Sequence, residues 1–336
     1  MFPQVALVFL GFSSVLDHSS ASPVSEGNDA VRRNLGASFS EDERVGAALA
    51  SALAAFLEEV EAGEFTGAST VPDDLERYGF FYDGLRGLGS ADGESASLLK
   101  SYPLGDDGRH HRLTVAFTGL RDGLPYVRKI VELRAEAHRE GYRFGCVFPE
   151  RTSHLASTEI GAVTFRHLGA LDLRRAAEFV AFRERIDADL GLKERPLEYF
   201  CFETLDDLLK AYGFVFDVHR CNFLRCDLGF SDDAGRRFAT GTGDPAYAFE
   251  YVGEALAAAA PEPELLYSPF VTGMSAYYGG YSLSGDRMPT LRAQFRERLA
   301  GEPEIDFLEE YRKGRGSSVA RHFSHFVMCA FLCEAV

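Results

Sequence analysis

The stretch from residue 244 to residue 280, DPAYAFEYVGEALAAAAPEPELLYSPFVTGMSAYYGG, decides the fold expected for the C-terminal half of the chain. Phe249, Val252 and Leu256 recur at the spacing of one helix face. A second apolar segment begins at Leu265, and two prolines separate it from the first. Because proline cannot continue a helix, the pattern predicts two helices joined by a short connection.

The composition bounds the class of protein and of partner. The chain has 336 residues, 46% of them hydrophobic, which is enough for a large core and predicts two domains. Against 35 basic residues stand 51 acidic ones, so the formal net charge is −16. Nucleic acids and anionic membranes carry charge of the same sign, and we expect neither as a partner.

The first 38 residues are predicted to hold an export signal followed by a linker. An apolar run from Val5 to Leu10 continues less strictly to Leu16, and small residues follow at 19–21. No basic residue precedes the run, so an N-terminal strand or an unstructured start is the alternative. Secretion or transport to the periplasm is the preferred localisation, and the cytoplasm is the alternative. No other segment approaches the ~18 apolar residues that span a bilayer, so we expect no transmembrane segment.

Cysteine, histidine and aspartate offer further candidate sites. An exported protein could form disulfides, and a Cys221–Cys226 bridge would close a short loop, but the apolar runs around Cys146, Cys201 and Cys329 favour buried apolar roles for several cysteines. A predicted C-terminal helix carries His and Cys on one face, which is chemically competent for zinc or haem iron. Its apolar surroundings favour a buried core helix instead. The pairs Asp232-Asp233 and Asp106-Asp107 could bind calcium, but no D-x-D-x-D-G pattern is present, so the sequence favours a role for them in turns. The helix stripe consists of His322, His325, Cys329 and Cys333.

The N-terminal half is predicted to contain helices followed by antiparallel strands. A capping box at Ser40 begins a helix whose apolar positions extend to about Glu61. A short helical piece is expected over residues 74–85, and residues 87–97 are polar and rich in glycine. The segment RKIVELRAEAHRE also fits a helix, and periodicity leaves that alternative open. Strand-like segments follow: RLTVAFTGL, YVRKIVELRA, YRFGCVF and IGAVTFRH.

Residues 163–217 predict the order strand, helix, strand, helix. Asp172 is a suitable N-cap for the first helix, and Gly213 is a suitable C-terminal glycine for the second. An edge strand is expected near residues 237–240. Two further helices are predicted, over residues 289–300 and 317–335.

The predicted helix pair resembles the active-site helices of gluzincin-type zinc metallopeptidases. In that family the first helix carries H-E-x-x-H, in which two His bind zinc and the Glu polarises the attacking water. The next helix supplies a third ligand in a phrase like E-G-x-A-x-Y-x-G-G. Here the first phrase is FEYVG at residues 249–253, and the second is TGMSAYYGG at residues 272–280. The resemblance implies that Glu250 occupies the general-base position.

The same resemblance implies that the zinc ligands are lost. Phe249 and Gly253 stand where the two His would be, and Thr272 stands where the third ligand would be. Without the metal, a peptide carbonyl is not polarised and water stays a weak nucleophile. We therefore expect no metal and no cofactor, with Glu250 as a vestigial catalytic residue. The substrate cleft expected from the resemblance is lined by Phe249, Gly253, Thr272 and Tyr277.

These patterns predict an α+β protein in three parts. Residues 1–38 are the export signal and linker. Residues 39–160 form an α+β domain of N-terminal helices and an antiparallel sheet. In order and length it resembles the nuclear-transport-factor-2-like domain that precedes the peptidase module in some bacterial gluzincin-like proteins. Residues 161–336 form a mostly helical, gluzincin-like domain that is not expected to be an active peptidase.

Three functional hypotheses follow from the sequence. The first is a pseudopeptidase that binds a peptide or protein in the former substrate cleft. The second is an active hydrolase with an atypical site that uses Glu250, Glu254 or Tyr277. The third places the function in the N-terminal α+β domain, as a module that binds a small molecule or a partner.

Overall fold

The structure is a computed structural model, and it describes residues 43–91, 93–105, 108–121, 123–139, 141–218, 229–232, 235–260, 268–280 and 288–301. The predicted export signal, the Cys221–Cys226 bridge, the His and Cys stripe and the helix over 317–335 lie outside the described residues. Within those residues, no helix is both long enough and apolar enough to cross a membrane.

The described chain begins with three helices and four strands, continues with strands and helices interspersed, and ends with three helices. The helices are α1 (Glu43–Ala62), α2 (Asp74–Arg77), α3 (Gly79–Asp83), α4 (Phe148–Thr152), α5 (Leu173–Asp189), α6 (Leu205–Ala211), α7 (Phe249–Ala259), α8 (Ser268–Gly279) and α9 (Met288–Gly301). The strands are β1 (Ser95–Pro103), β2 (His110–Arg121), β3 (Leu124–His138), β4 (Gly141–Gly145), β5 (Ala156–Ile160), β6 (Val163–His167), β7 (Leu197–Cys201), β8 (Phe214–Asp217), β9 (Gly229–Asp232) and β10 (Arg237–Thr240).

The first sheet is antiparallel and has the order β1-β2-β3-β4, with β8 also paired to β3. The helical alternative for β3 is wrong. Val131, Leu133 and Ala135 are buried and alternate with less buried neighbours, which is the period-2 pattern of a strand with one face on a core. The polar interpretation of residues 87–97 was incomplete, since β1 begins at Ser95 and buries Ala96 and Leu98.

The second sheet is mixed and has the order β5-β6-β7-β10-β9. Strands β6, β7 and β10 run parallel to one another, whereas β5 and β9 pair antiparallel at the two ends of this order. The strand predicted near residues 237–240 is confirmed as β10, but its expected place at the edge of the sheet is wrong. This strand lies between β7 and β9, and all four of its residues are buried.

The helix ends follow the capping residues. Asp172 accepts a hydrogen bond from the backbone N–H of Arg175 (3.0 Å), which confirms it as the N-cap of α5. Beyond α6, Gly213 has φ +92°, a left-handed conformation that suits glycine after a helix. A Cβ there would lie 2.6 Å from the Glu132 carbonyl oxygen, so this glycine also lets β3 approach.

Two hydrophobic cores lie against the two sheets. The first buries the inner faces of α1 and of the antiparallel sheet, together with residues of α6, β7, β8 and β10. The second lies between the mixed sheet and helices α5 and α7, and reaches Ala276 in α8. The protein is therefore α+β, with one antiparallel and one mixed sheet. Strand β8 lies beyond residue 160, where the predicted domain boundary falls, and nevertheless pairs with β3.

Candidate functional site

Helices α7 and α8 are the two helices expected from the sequence, and the structure packs them antiparallel. Gly279, at the end of α8, lies against the start of α7, because a Cβ on it would be 2.7 Å from both the Ala248 carbonyl oxygen and the Phe249 Cα. Farther along, Gly253 of α7 faces Val271 and Ser275 of α8, whose side-chain atoms would lie 3.6 and 3.5 Å from an added Cβ. Small residues thus let the two helices cross closely at one end.

Most of the predicted site residues lie together. Phe249 is 7% exposed and packs into the second core, while it also lines an open cleft with Glu250 and Gly253. The side chain of Thr272 lies outside the described part of the structure, although its helix neighbour Val271 lines the same cleft. Tyr277 instead lines a second opening, together with its neighbour Tyr278 and with Phe182 and Arg185 of α5. Side chains two positions apart on a helix point about 200° away from each other. Ser275 lines the cleft, so Tyr277 points away from it.

The cleft has a volume of about 600 Å³ and lies between α3, β9 and α7. Aromatic rings form part of its wall, since Phe80 of α3 stacks on Phe230 of β9 with 3.6 Å between ring centroids. Among the described residues that line it, the charged ones are all acidic. These residues are Glu76, Asp83, Asp232, Glu250 and Glu254.

Asp232 is the most deeply set of these carboxylates, at 5% exposure. It accepts hydrogen bonds from the backbone N–H of Phe80 (3.0 Å) and from the Tyr212 hydroxyl. Burial raises the pKa of Asp232, and these two hydrogen bonds counter the effect only in part. The interpretation of Asp232 as a turn residue is wrong, because it ends β9 and contributes to the cleft.

Glu254 is the second carboxyl group whose environment resists ionisation. Burial raises the pKa of Glu254, the positive charge of Arg195 lowers it, and the negative charge of Asp232 raises it again. The glycine at 235 makes room for this arrangement, since a Cβ there would lie 3.0 Å from Arg195 Nη2 and 3.2 Å from Glu254 Oε2. The cleft therefore holds two acids that take up protons at a higher pH than ordinary carboxyl groups.

Glu250 lies beside the edge of the mixed sheet. Its Oε1 accepts a hydrogen bond from the Tyr247 hydroxyl (2.9 Å), and its Oε2 would be 3.0 Å from a Cβ on Gly229. In the part of the chain that the structure describes, His, Cys, Asp and Glu form no group of three or more that could hold a metal ion. The described groups can bind cations and donors of hydrogen bonds.

Comparison of the chain with protein-family models, with curated proteins and with solved structures gave no match. The similarity to gluzincins and to nuclear-transport-factor-2-like domains therefore stays a prediction that rests on the residues quoted above. Sequence reasoning missed Phe80 and Phe230 and assigned Asp232 to a turn, and these residues come from segments about 150 residues apart in the chain. A local motif cannot find such residues, because only the tertiary fold brings them together.

Proposed function

We propose that the protein is a pseudopeptidase, which binds a peptide segment in the cleft between α3, β9 and α7 without hydrolysing it. One observation carries this proposal. Helix α7 carries the peptidase-like phrase FEYVG, and three residues of this phrase, Phe249, Glu250 and Gly253, line an open cleft of about 600 Å³. This volume falls in the range of ~300–1,000 Å³ that is usual for ligand sites.

The cleft favours a basic segment that also carries an aromatic or aliphatic side chain. Glu76 and Asp83 already pair with Arg236 and Arg86. Asp232, Glu250 and Glu254 therefore supply most of the attraction for Lys or Arg, and partial burial strengthens it relative to bulk water. The stacked rings of Phe80 and Phe230 offer apolar surface and a π-face to a neighbouring guanidinium. An acidic segment would meet like charges and is expected to be rejected.

The absence of hydrolysis follows from the residues at the ligand positions. Phe249 has no atom that coordinates zinc, and Gly253 has no side chain. A catalytic zinc site needs three protein ligands, so the lone carboxylate of Glu250 does not suffice to hold the ion. We therefore expect purified protein to carry no stoichiometric zinc at α7.

Binding is tested with fluorescently labelled peptides that match in length and apolar content but differ in charge. We expect the basic peptides to bind and the acidic ones to bind at least about 10-fold more weakly. Glu254→Gln should weaken binding of the basic peptide several-fold, and Glu184→Gln, the same change at an exposed position of α5, should not. Equal affinity for both peptide classes would contradict the proposal.

Metal analysis separates this proposal from the hydrolase hypothesis. One equivalent of zinc that is lost in Glu250→Gln would favour an active, atypical hydrolase. The gluzincin-like frame itself is tested by the triple change Phe249→His, Gly253→His and Thr272→Glu. If the frame is correct, this variant folds and gains zinc affinity, with little catalysis because supporting residues around the ligands are missing. A folded triple variant with no gain in zinc affinity would remove the gluzincin assignment.

A further inference from the structure

A basic pocket lies at the turn between β3 and β4, and it shares no lining residue with the cleft or with the opening beside Tyr277. It is an open concavity of about 710 Å³, and its described lining contains no acidic residue. Arg139 lies in the turn itself, and Arg143 lies on β4. The carbonyl oxygen of Arg109 accepts a hydrogen bond from the backbone N–H of Ala137 (2.7 Å), which places Arg109 beside the end of β3. His138, the last residue of β3, completes the charged and polar lining.

Arg143 brings a guanidinium with unused hydrogen-bond donors to the pocket. Its Nε is buried and has no hydrogen-bond partner among the described residues. Glu136 is its cross-strand neighbour, but the Glu136 carboxylate forms an ion pair with Arg134 (3.2 Å). A guanidinium offers five donors in a planar fork, and leaving a buried donor unsatisfied costs free energy. The Nε itself is shielded from solvent, so an anion in the pocket would be held through the terminal Nη donors of the same guanidinium.

The charge of the pocket contrasts with that of the chain. Three arginines line one concavity in a protein whose formal net charge is −16. Arginine is the preferred partner of phosphate, because its fork matches two phosphate oxygens at once. A compact anion would lie among the arginines and beside the Glu136 carboxylate, whose charge is compensated by its ion pair with Arg134 (3.2 Å), while charges beyond about 8 Å are screened at physiological ionic strength. A long polyanion would also meet the acidic surface, which disfavours it.

We propose that the pocket formed by Arg109, His138, Arg139 and Arg143 binds the phosphate group of a small phosphorylated molecule. The site is separate from the cleft beside α7, and none of its residues lines that cleft. Arg143 would hold the phosphate from β4, and Arg139 would close over it from the turn.

The test measures binding of inorganic phosphate and of free phosphoserine to the full chain by calorimetry. We expect both to bind the unmodified protein. The double variant Arg139→Gln with Arg143→Gln should lose at least about 10-fold in phosphate affinity. Arg143→Lys should lose less than the double variant, because lysine keeps the positive charge, but it should still lose some affinity, because lysine lacks the bidentate fork. Arg174→Gln removes the same charge from an exposed position of α5 and should leave the affinity unchanged.

Three results would overturn the proposal. They are no phosphate binding by the unmodified protein, equal loss in the double variant and in Arg174→Gln, and binding only to vesicles that contain phosphatidic acid. The third would assign the pocket to a lipid surface. The melting temperature of each variant shows whether it is folded. If the double variant does not fold, the conservative Arg143→Lys variant still tests the proposal. Glu254→Gln should leave phosphate affinity unchanged, so failure of this proposal and failure of peptide binding are distinguishable.

Discussion

The acidic cleft beside α7 and the basic pocket at the turn between β3 and β4 are built in different ways. The cleft takes its lining from α2, α3, β9, α7 and α8, whereas every residue of the pocket lies between residues 109 and 143. The pocket therefore depends mainly on the pairing of neighbouring strands, and the cleft depends on the docking of distant elements. Two sites of opposite charge on one chain can be disturbed separately, and a site assembled from distant elements is the more sensitive to packing defects.

The largest expected effect comes from Gly279→Ala, which should damage the cleft and spare the pocket. The new methyl group would lie 2.7 Å from backbone atoms of Ala248 and Phe249, so α7 and α8 must move apart. Overpacking of this kind costs about 1–3 kcal/mol of unfolding free energy. Denaturant titration measures the loss, and peptide binding should weaken while phosphate binding stays within about twofold.

Gly253→Ala is the matched control on the same helix pair. Its methyl group would make only ordinary contacts, at 3.5 Å from Ser275 Oγ and 3.6 Å from Val271 Cγ1. Alanine also favours the helix over glycine by about 1 kcal/mol, so stability should stay equal or rise. If both variants lost the same stability, the close approach at Gly279 would not be the cause.

The next effect concerns a buried acid on the pocket side of the molecule. Burial raises the pKa of Asp74 from 3.8 to about 6, although Arg134 (3.3 Å) and the backbone N–H of Cys146 (3.0 Å) oppose the shift. Because the folded state holds this proton more tightly, its contribution to stability is full below pH ~4 and is lost as the pH rises through about 6. The contribution is at most on the order of 3 kcal/mol.

Asp74→Asn should therefore flatten the pH dependence of the unfolding free energy between about pH 4 and pH 6. Asp206→Asn, which makes the same change at an exposed position of α6, is the control. Urea titrations at several pH values measure both variants. An unchanged slope in Asp74→Asn would show that this carboxyl group ionises normally in the folded protein.

A smaller effect is expected on the pH dependence of peptide binding in the cleft. The pKa values of Asp232 and Glu254 are both raised, chiefly by burial, so both groups lose their charge at a higher pH than ordinary carboxyl groups. Affinity for a basic peptide should fall as the pH is lowered, by several-fold before ordinary carboxyl groups protonate. Glu254→Gln should show a weaker dependence over the same range. A pH-independent affinity would contradict the role of these acids.

The smallest effect is expected for Glu250→Gln. The glutamine oxygen can still accept the hydrogen bond from the Tyr247 hydroxyl, which is 2.9 Å from Glu250 Oε1. We expect a change in unfolding free energy below about 0.5 kcal/mol and no change in any hydrolytic activity. A large loss of activity in peptide-cleavage assays would instead revive the hydrolase hypothesis.

Local patterns predicted much of the fold. Apolar spacing and end signals located α1, α5, α6 and α7, because their helix faces and caps lie within one short segment. Alternation located β2, β6 and β7 in the same way. The helix pair was expected from the two prolines, and the structure has helices at 249–259 and 268–279.

Long-range pairing was not predictable from the same signals. The four-residue strands β8 and β9 are too short to show a period, and each is defined by its partner. Strand β10 has four buried residues because β7 and β9 flank it, which no local pattern records. The cleft shares this difficulty. A local motif predicts Glu250 as a site residue, whereas Phe80 and Asp232 reach the cleft only because α3 and β9 meet in the tertiary fold.

The pairing of β8 with β3 has a consequence for synthesis of the protein. Ribosomes release β3 long before residue 217 emerges, and at ~5–20 residues per second the delay is on the order of 10 s. During that time Lys129 and Ile130 lack the partners that β8 provides, and the Lys129 ammonium lacks its buried ion pair with Asp217 (2.9 Å). Unpaired strand edges invite association between nascent chains. A fragment that stops at residue 160 would carry this exposed edge permanently, so we expect the shortest soluble N-terminal fragment to extend through Asp217.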